Sequence, residues 1–372
     1  MRVKNMKHLS ILAASTISVA TLSGASAATS HLYANNITAH NIAAIQDTVT
    51  SGAFRTFSGS MGTILGNQSI LAARATRANE DPSKTYGRAP MYGTASIYGE
   101  YNDDGTAGRS GGDIINADAA LNNVWINWQH IGDDVKFDEF ERLDSDFDVA
   151  MFGISGGISE MMGGISKWGI YAGHINGDQD NSTIKIDERG GFFGIYNGNI
   201  FGNLGLYASL NGGVLNNTVT STYGIDELSN FWAAGTISAT YDFALDRTFT
   251  IQPGLHTGYT WIKSENYTSA SGDIVKNDAF SMLEITPALR AIKHIGNGWF
   301  GSLNLKHVMI FANGGNLTIN DVATETLDTN NYTEYSISLE KSVSHMNVSA
   351  TFGRHDGARD GWIGGMNIKY AF

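Results

Sequence analysis

The closing stretch, Gly361 to Phe372 (G-W-I-G-G-M-N-I-K-Y-A-F), constrains the fold more than any other part of the chain. Stepping back by twos from Phe372 gives Tyr370, Ile368, Met366, Gly364 and Trp362, an apolar face rich in aromatics. The interleaved positions, Ala371, Lys369, Asn367, Gly365 and Ile363, are mostly small or polar and include a charge. A period of two is that of a β-strand. In a soluble sheet the apolar face covers a core; in a membrane barrel it meets lipid while the polar face lines the lumen.

The other end of the chain helps to decide. Arg2, Lys4 and Lys7 precede an apolar stretch from Leu9 to Leu22, and Ala25-Ser26-Ala27 forms an A-x-A cleavage site, so residues 1–27 read as a secretory signal peptide cut after Ala27. Its removal takes three cations and moves the formal net charge from -12 to about -15. The apolar stretch is shorter than the roughly 20 residues that span a bilayer as a helix. An exported chain without helical spans is either soluble or crosses the outer membrane as a barrel.

Forty-four Gly against four Pro, with fifteen Tyr and seven Trp, suit strands bounded by aromatic belts. No Cys is present, which excludes a disulfide scaffold and thiolate metal sites. The acidic balance argues against nucleic acid as a partner. Period-two runs predict twelve strands: Val124–His130, Asp148–Gly156, Trp168–Ile175, Gly191–Gly198, Gly202–Gly212, Phe231–Asp242, Phe249–Trp261, Ser281–Ala291, Trp299–Met309, Tyr332–Lys341, Met346–Arg354 and Gly361–Phe372. In the seventh, Phe249, Ile251, Pro253, Leu255, Tyr259 and Trp261 share one face; Thr250, Gln252, Gly254, His256, Gly258 and Thr260 share the other. Long polar connections (132–145, 176–189, 215–229, 263–278, 312–331) alternate with short ones (199–201, 244–248, 295–298, 343–345), with 356–360 as a short exception. Outer-membrane barrels segregate long extracellular loops from short periplasmic turns in this way. The expected fold is an all-β membrane protein, a twelve-stranded antiparallel transmembrane barrel over residues 122–372, in the outer membrane of a Gram-negative-type bacterium.

Residues 28–121 form a different, short N-terminal region. Ile42, Ile45, Val49, Ala53, Phe57, Met61 and Ile64 recur every three to four positions, predicting an amphipathic helix over about 41–74. Its other face is Ser, Thr, Gln and Asn, suited either to a polar lumen or to a periplasmic or surface position. A polar linker follows, and Met91–Tyr101 is strand-like, either an extra strand outside the wall or a competitor for the first barrel position.

The segments V-W-I-N-W-Q-H at Val124, V-A-M-F-G-I-S-G-G at Val149, W-G-I-Y-A-G-H at Trp168, G-G-F-F-G-I-Y at Gly190 and F-T-I-Q-P-G-L-H-T-G-Y-T-W-I at Phe249, closed by K-Y-A-F at Lys369, resemble in order and spacing the β-domain of autotransporters. The likeness covers about 250 residues. It implies a twelve-stranded translocator with a helix in its pore that delivers an upstream segment to the cell surface. It also implies that the C-terminal aromatics Tyr370 and Phe372 are an assembly signal read by the barrel assembly machinery. The chain departs from the family in having only residues 28–121 as passenger, without 20–50-residue repeats. Asn35-Asn36 and Asn122-Asn123 are similar to the paired asparagines at which some autotransporters cleave themselves, although such pairs are common.

Other motifs fall away on inspection. Gly153-Ile154-Ser155-Gly156-Gly157 fits G-x-S-x-G, but it lies within an alternating strand with no helix after it. Asp144-x-Asp146-x-Asp148 imitates a calcium loop, yet the sixth and twelfth positions are Val149 and Ser155, so it reads as a solvated loop. No cofactor, metal site or enzymatic constellation is expected. Asp242, Glu284, Arg290, Lys306, Glu334, Glu340 and Lys369 fall on polar strand faces, where a lipid-facing Arg or Lys costs about 2–4 kcal/mol, so they are expected to line the pore. Two functions follow: a monomeric autotransporter-type translocator surrounded by outer-membrane lipid, or a porin-like or surface-binding barrel acting through its outer loops.

Overall fold

The computed structural model describes residues 100–101, 107–108, 122–136, 142–156, 165–180, 184–201, 203–246, 248–324, 330–343 and 346–372. The signal peptide and the helix expected at 41–74 lie outside these residues. Of the 91–101 segment, Glu100–Tyr101 is described; it pairs with Ala107–Gly108 in a ladder separate from the main sheet.

Twelve long strands build that sheet: β1 Asn123–Val135, β2 Leu143–Gly156, β3 Ile165–Asp180, β4 Ile184–Phe201, β5 Leu204–Ser221, β6 Gly224–Tyr241, β7 Phe249–Ser264, β8 Phe280–Gly296, β9 Trp299–Gly314, β10 Tyr332–Val343, β11 Met346–Gly357 and β12 Arg359–Ala371. Each pairs antiparallel with its neighbours in sequence, and β12 pairs with β1 from Arg359↔Val135 to Ala371↔Asn123. This last ladder closes the barrel. Closure answers the backbone groups of the first and last strands, which a hydrocarbon environment would otherwise leave unpaired.

The apolar outer face follows from alternation. On β12, Trp362, Met366, Ile368 and Tyr370 are exposed, while Ile363, Asn367, Lys369 and Ala371 are buried. The seventh strand divides as its sequence does, with Leu255, Tyr259 and Trp261 exposed and Gln252 and Thr260 buried. Trp299 and Phe249 sit at the inner end under Lys341 and Lys293, and Trp362 near the outer end under Arg354, which marks the two interfacial belts.

The sequence misjudged the outer connections. The stretches 176–189 and 215–229 are not long loops: β3 and β4 continue to Asp180 and Ile184, and β5 and β6 run to Ser221 and Gly224. These polar residues keep strand pairing in water because each ladder extends one already formed in the membrane. β4, β5 and β6 have 18 residues each. At about 3.3 Å per residue and a tilt near 40° such a strand rises about 45 Å, against an apolar band of about 25 Å. The wall therefore projects well beyond the outer boundary.

Asp144, Asp146 and Asp148 belong to this projection. They stand on the outward face of β2 rather than in a loop, and Asp146 pairs in register with Asp178. At the inner end, β8 and β9 are joined by Asn297 (φ 50°) and Gly298 (φ 73°), the two left-handed positions of a tight I′ hairpin.

Two long outer connections remain, 265–279 and 315–331. Between them they form a small four-stranded sheet from Tyr267–Thr268, Ile274–Asn277, Leu317–Ile319 and Val322–Thr324.

Candidate functional site: the barrel lumen

With twelve strands about 4.8 Å apart and tilted near 40°, opposite backbones stand about 24 Å from each other. After inward side chains are placed, that leaves roughly the 10–12 Å of one α-helix. The lumen wall is two-sided. From β1 to β6 it is largely apolar and aromatic, carrying Trp125, Phe147, Met151, Tyr171, Phe192, Tyr196, Tyr207 and Trp232 in one cluster.

The rings lock to one another. Trp125 Nε1 donates to the Tyr196 hydroxyl at 3.2 Å, Asn211 Nδ2 donates to the Tyr171 hydroxyl at 2.8 Å, and Tyr196 stacks on Tyr207 with centroids 5.9 Å apart. Glycines make room for them. A Cβ on Gly153 would lie 2.3 Å from the Trp125 ring, and one on Gly169 2.3 Å from the Tyr196 ring. The Ser of the G-x-S-x-G match, Ser155, points into this wall and donates to Asn123 Oδ1 at 2.8 Å. That bond gives it a packing role.

From β7 to β12 the wall is polar. The seven charged residues singled out from sequence all lie on the inward-alternating face, or just past its end in the case of Asp242. Gln252 Nε2 donates to Asp242 Oδ1 at 2.6 Å, and Arg290 lies close enough to act on the same carboxylate. Lys306 Nζ meets Glu334 Oε2 at 3.0 Å. Asn347 donates to Glu340, which also faces Lys369 electrostatically. Glu284 is buried beside Gly258. These contacts run mostly between adjacent strands, not across the lumen. The C-terminal Tyr370 and Phe372 are both exposed on the lipid face.

The densest charge group was not legible in the sequence. Arg359 Nε donates to Asp133 Oδ2 at 2.7 Å, and His355 Nδ1 lies 2.9 Å from both Asp133 oxygens. His355 Nε2 is 3.9 Å from Glu334 Oε2, which joins the group to Lys306. Five strands are thus linked, β12, β1, β11, β10 and β9, and the first of these contacts crosses the closing seam. By sequence alone Asp133 and Arg359 fall in the connections 132–145 and 356–360. Extending the parity of Trp125 and Asn127 would have placed Asp133 inside. A further lysine, Lys167 at the inner end of β3, is buried with no hydrogen-bond partner for its Nζ among the described residues.

Comparison with known proteins gives this lumen its context. The family model for the autotransporter β-domain matches residues 129–358. The chain belongs to the autotransporter β-domain family. Solved structures agree in fold. The match to the β domain of the Bordetella autotransporter BrkA covers 68% of this chain and 100% of that one, at 16% identity and a TM-score of 0.56. The transport unit of AIDA-I from Escherichia coli gives 0.59 at 16% identity, covering 67% of this chain and 90% of that one. The translocator domain of NalP from Neisseria meningitidis gives 0.56 at 11% identity, covering 68% and 88%. No curated protein matches the chain in sequence. Family membership places the β-domain in a Gram-negative outer membrane.

Proposed function

We propose that this β-domain is a translocator with little passenger, which leads its own residues 28–121 through the lumen to the cell surface after a signal peptide is removed at Ala27. The observation that carries the reading is where the chain joins the barrel. Phe372 N donates to the Asn122 carbonyl at 3.1 Å, so the N-terminal region meets the wall at the inner rim, beside the last strand, with a helix-wide lumen above it. The polar half of that lumen suits the Ser-, Thr- and Asn-rich face of the 41–74 segment. Tyr370 and Phe372, exposed on the lipid side of that rim, are suitably placed to be grasped by the barrel assembly machinery. The role is transport, with no catalytic step.

A surface-binding role through the outer loops is the second reading. It is favoured by the four-stranded loop sheet, which carries exposed Ile274 and Val322. A tag inserted after Ala28 separates the two readings. Digestion of the tag by protease added to intact cells supports the translocator. A tag digested only after the outer membrane is broken overturns it and leaves the loops as the working surface.

A further inference from the structure

A second apolar core sits at the outer mouth, apart from the cluster in the wall below. Val135, Leu143, Ile184, Ile186, Val219 and Leu228 point inward from the projecting ends of β1, β2, β4, β5 and β6. These ends lie beyond the membrane, where an open mouth would put their side chains in water. They are instead covered: Val275 belongs to the same cluster and Tyr267 packs against it, both from the β7–β8 connection. Leu143, Ile186 and Val275 are each 0% exposed. Burial of apolar surface is the driving force for such a closure.

The connection is fastened to the outer end of the neighbouring strand, β6. Ala270 N donates to the Asp226 carboxylate at 2.6 Å on β6. The Ala270 methyl rests where Gly224 (φ +138°) has no side chain; a Cβ there would lie 2.5 Å away. The segment's two feet are held by backbone hydrogen bonds, Glu265 N to Ser229 O at 3.0 Å and Asp278 N to Asn316 O at 3.0 Å. The second outer connection braces it. Asn320 Nδ2 donates to Asp273 Oδ1 at 2.6 Å, and Lys276 Nζ meets Asp321 at 2.8 Å. The half-buried phenol of Tyr267, raised in pKa by desolvation and by nearby Asp226, stays neutral.

We propose that residues 265–279 are a lid that seals the outer end of the lumen, with Val275 and Tyr267 as its plug and Asp226 as its latch. Anything that passes between lumen and exterior, solute or chain, requires this lid to swing off the apolar ring. The inference does not depend on the translocator reading, since a sealed mouth concerns any cargo.

Cysteine accessibility in the full-length protein tests it, because the chain has no cysteine of its own. Leu215→Cys places a thiol on the lumen wall beneath the lid, and Val322→Cys places one on the outside of the loop sheet. A membrane-impermeant maleimide added to intact cells is expected to label Val322→Cys readily and Leu215→Cys hardly at all. Adding Val275→Asp, or replacing residues 266–277 by a Gly-Ser linker, should speed labelling at position 215 at least tenfold. Heat-modifiable migration confirms that each barrel is intact. Rapid labelling of Leu215→Cys with the native lid overturns the proposal. So does protection of position 215 in both opened variants while Val322→Cys is labelled. The tag assay for the N-terminal region is read with the native lid in place, so either proposal can fail alone.

Discussion

Asp133→Asn tests whether the buried charges at the seam hold the barrel closed. Asp133 is 2% exposed and satisfies two groups from the end of the chain, Arg359 at 2.7 Å and His355 at 2.9 Å. Removing one partner of a buried ion pair leaves an uncompensated charge and costs about 3–5 kcal/mol. Arg359 keeps further interactions, which sets the expectation near the lower figure, about 3 kcal/mol. The change alters no volume, so a loss of that size reports electrostatics and not packing. Guanidinium unfolding of the barrel reconstituted in vesicles, followed by tryptophan fluorescence, measures it. Removing both charges in Asp133→Asn/Arg359→Met should recover stability to within about 1 kcal/mol of the parent, since paired removal leaves no orphan. A single-variant loss below about 1 kcal/mol, or a double variant no better than the single, refutes the reasoning.

Leu289→Arg, on the lipid face, should cost about 2–4 kcal/mol in the same assay, while Lys306 on the opposite face is tolerated because it is paired with Glu334. Equal effects from Leu289→Arg and Leu289→Ala would reverse the assignment of faces. Gly153→Ala drives a methyl into the Trp125 ring and should lower stability by about 1–3 kcal/mol, with recovery when Trp125 is also changed to Leu. Loss without recovery would place the strain elsewhere. Asp144 stands outside the membrane among Asp146, Asp134 and Asp180, and burial together with those charges raises its pKa above 3.8. A folded pKa above the unfolded one means the folded state takes the proton more readily, so stability falls as pH rises through the interval between them. Asp144→Asn should flatten that slope in unfolding measured from pH 3 to 7, and an unchanged slope would discount the carboxylate ladder. Phe372→Ala, exposed at the rim, should reduce assembled barrel in outer-membrane fractions several-fold while leaving refolded stability in detergent within about 1 kcal/mol. A matching fall in both would make the residue structural.

Alternation alone decided much of this protein. The parity of Trp362 to Phe372 and of Phe249 to Trp261 assigned lipid and lumen faces correctly, because a lipid-facing charge costs more than local context can offset. Strand existence was likewise legible, since each of the twelve runs named from sequence coincides with one long observed strand, nine lying wholly within it and three (202–212, 231–242 and 361–372) overrunning an end by one or two residues. The outer half was less so. The stretches 176–189 and 215–229 are rich in Asn, Asp, Gly and Ser, whose local preference is for turns. They remain paired because neighbouring strands are already in register below them.

The lumen shows the same division. Polar positions such as Glu334 and Lys306 announce their face by charge. Trp125, Tyr171 and Tyr196 alternate with outward apolar residues, so both faces of β1, β3 and β4 look greasy, and only closure of the wall shows which one is inside. Asp133, His355 and Arg359 lie over 220 positions apart from first to last and meet because β12 pairs with β1. The mouth core is a similar case: Ile274 and Val275 read as a short apolar pair in a polar loop until the tertiary structure brings six strand-end side chains around Val275 alone. The sequence by itself determined that the chain is a twelve-stranded membrane barrel, because periodicity and charge exclusion are local and cumulative. Which residues share the seam, the aromatic wall and the sealed mouth was decided by tertiary structure alone, because register between distant strands is a property of the closed sheet.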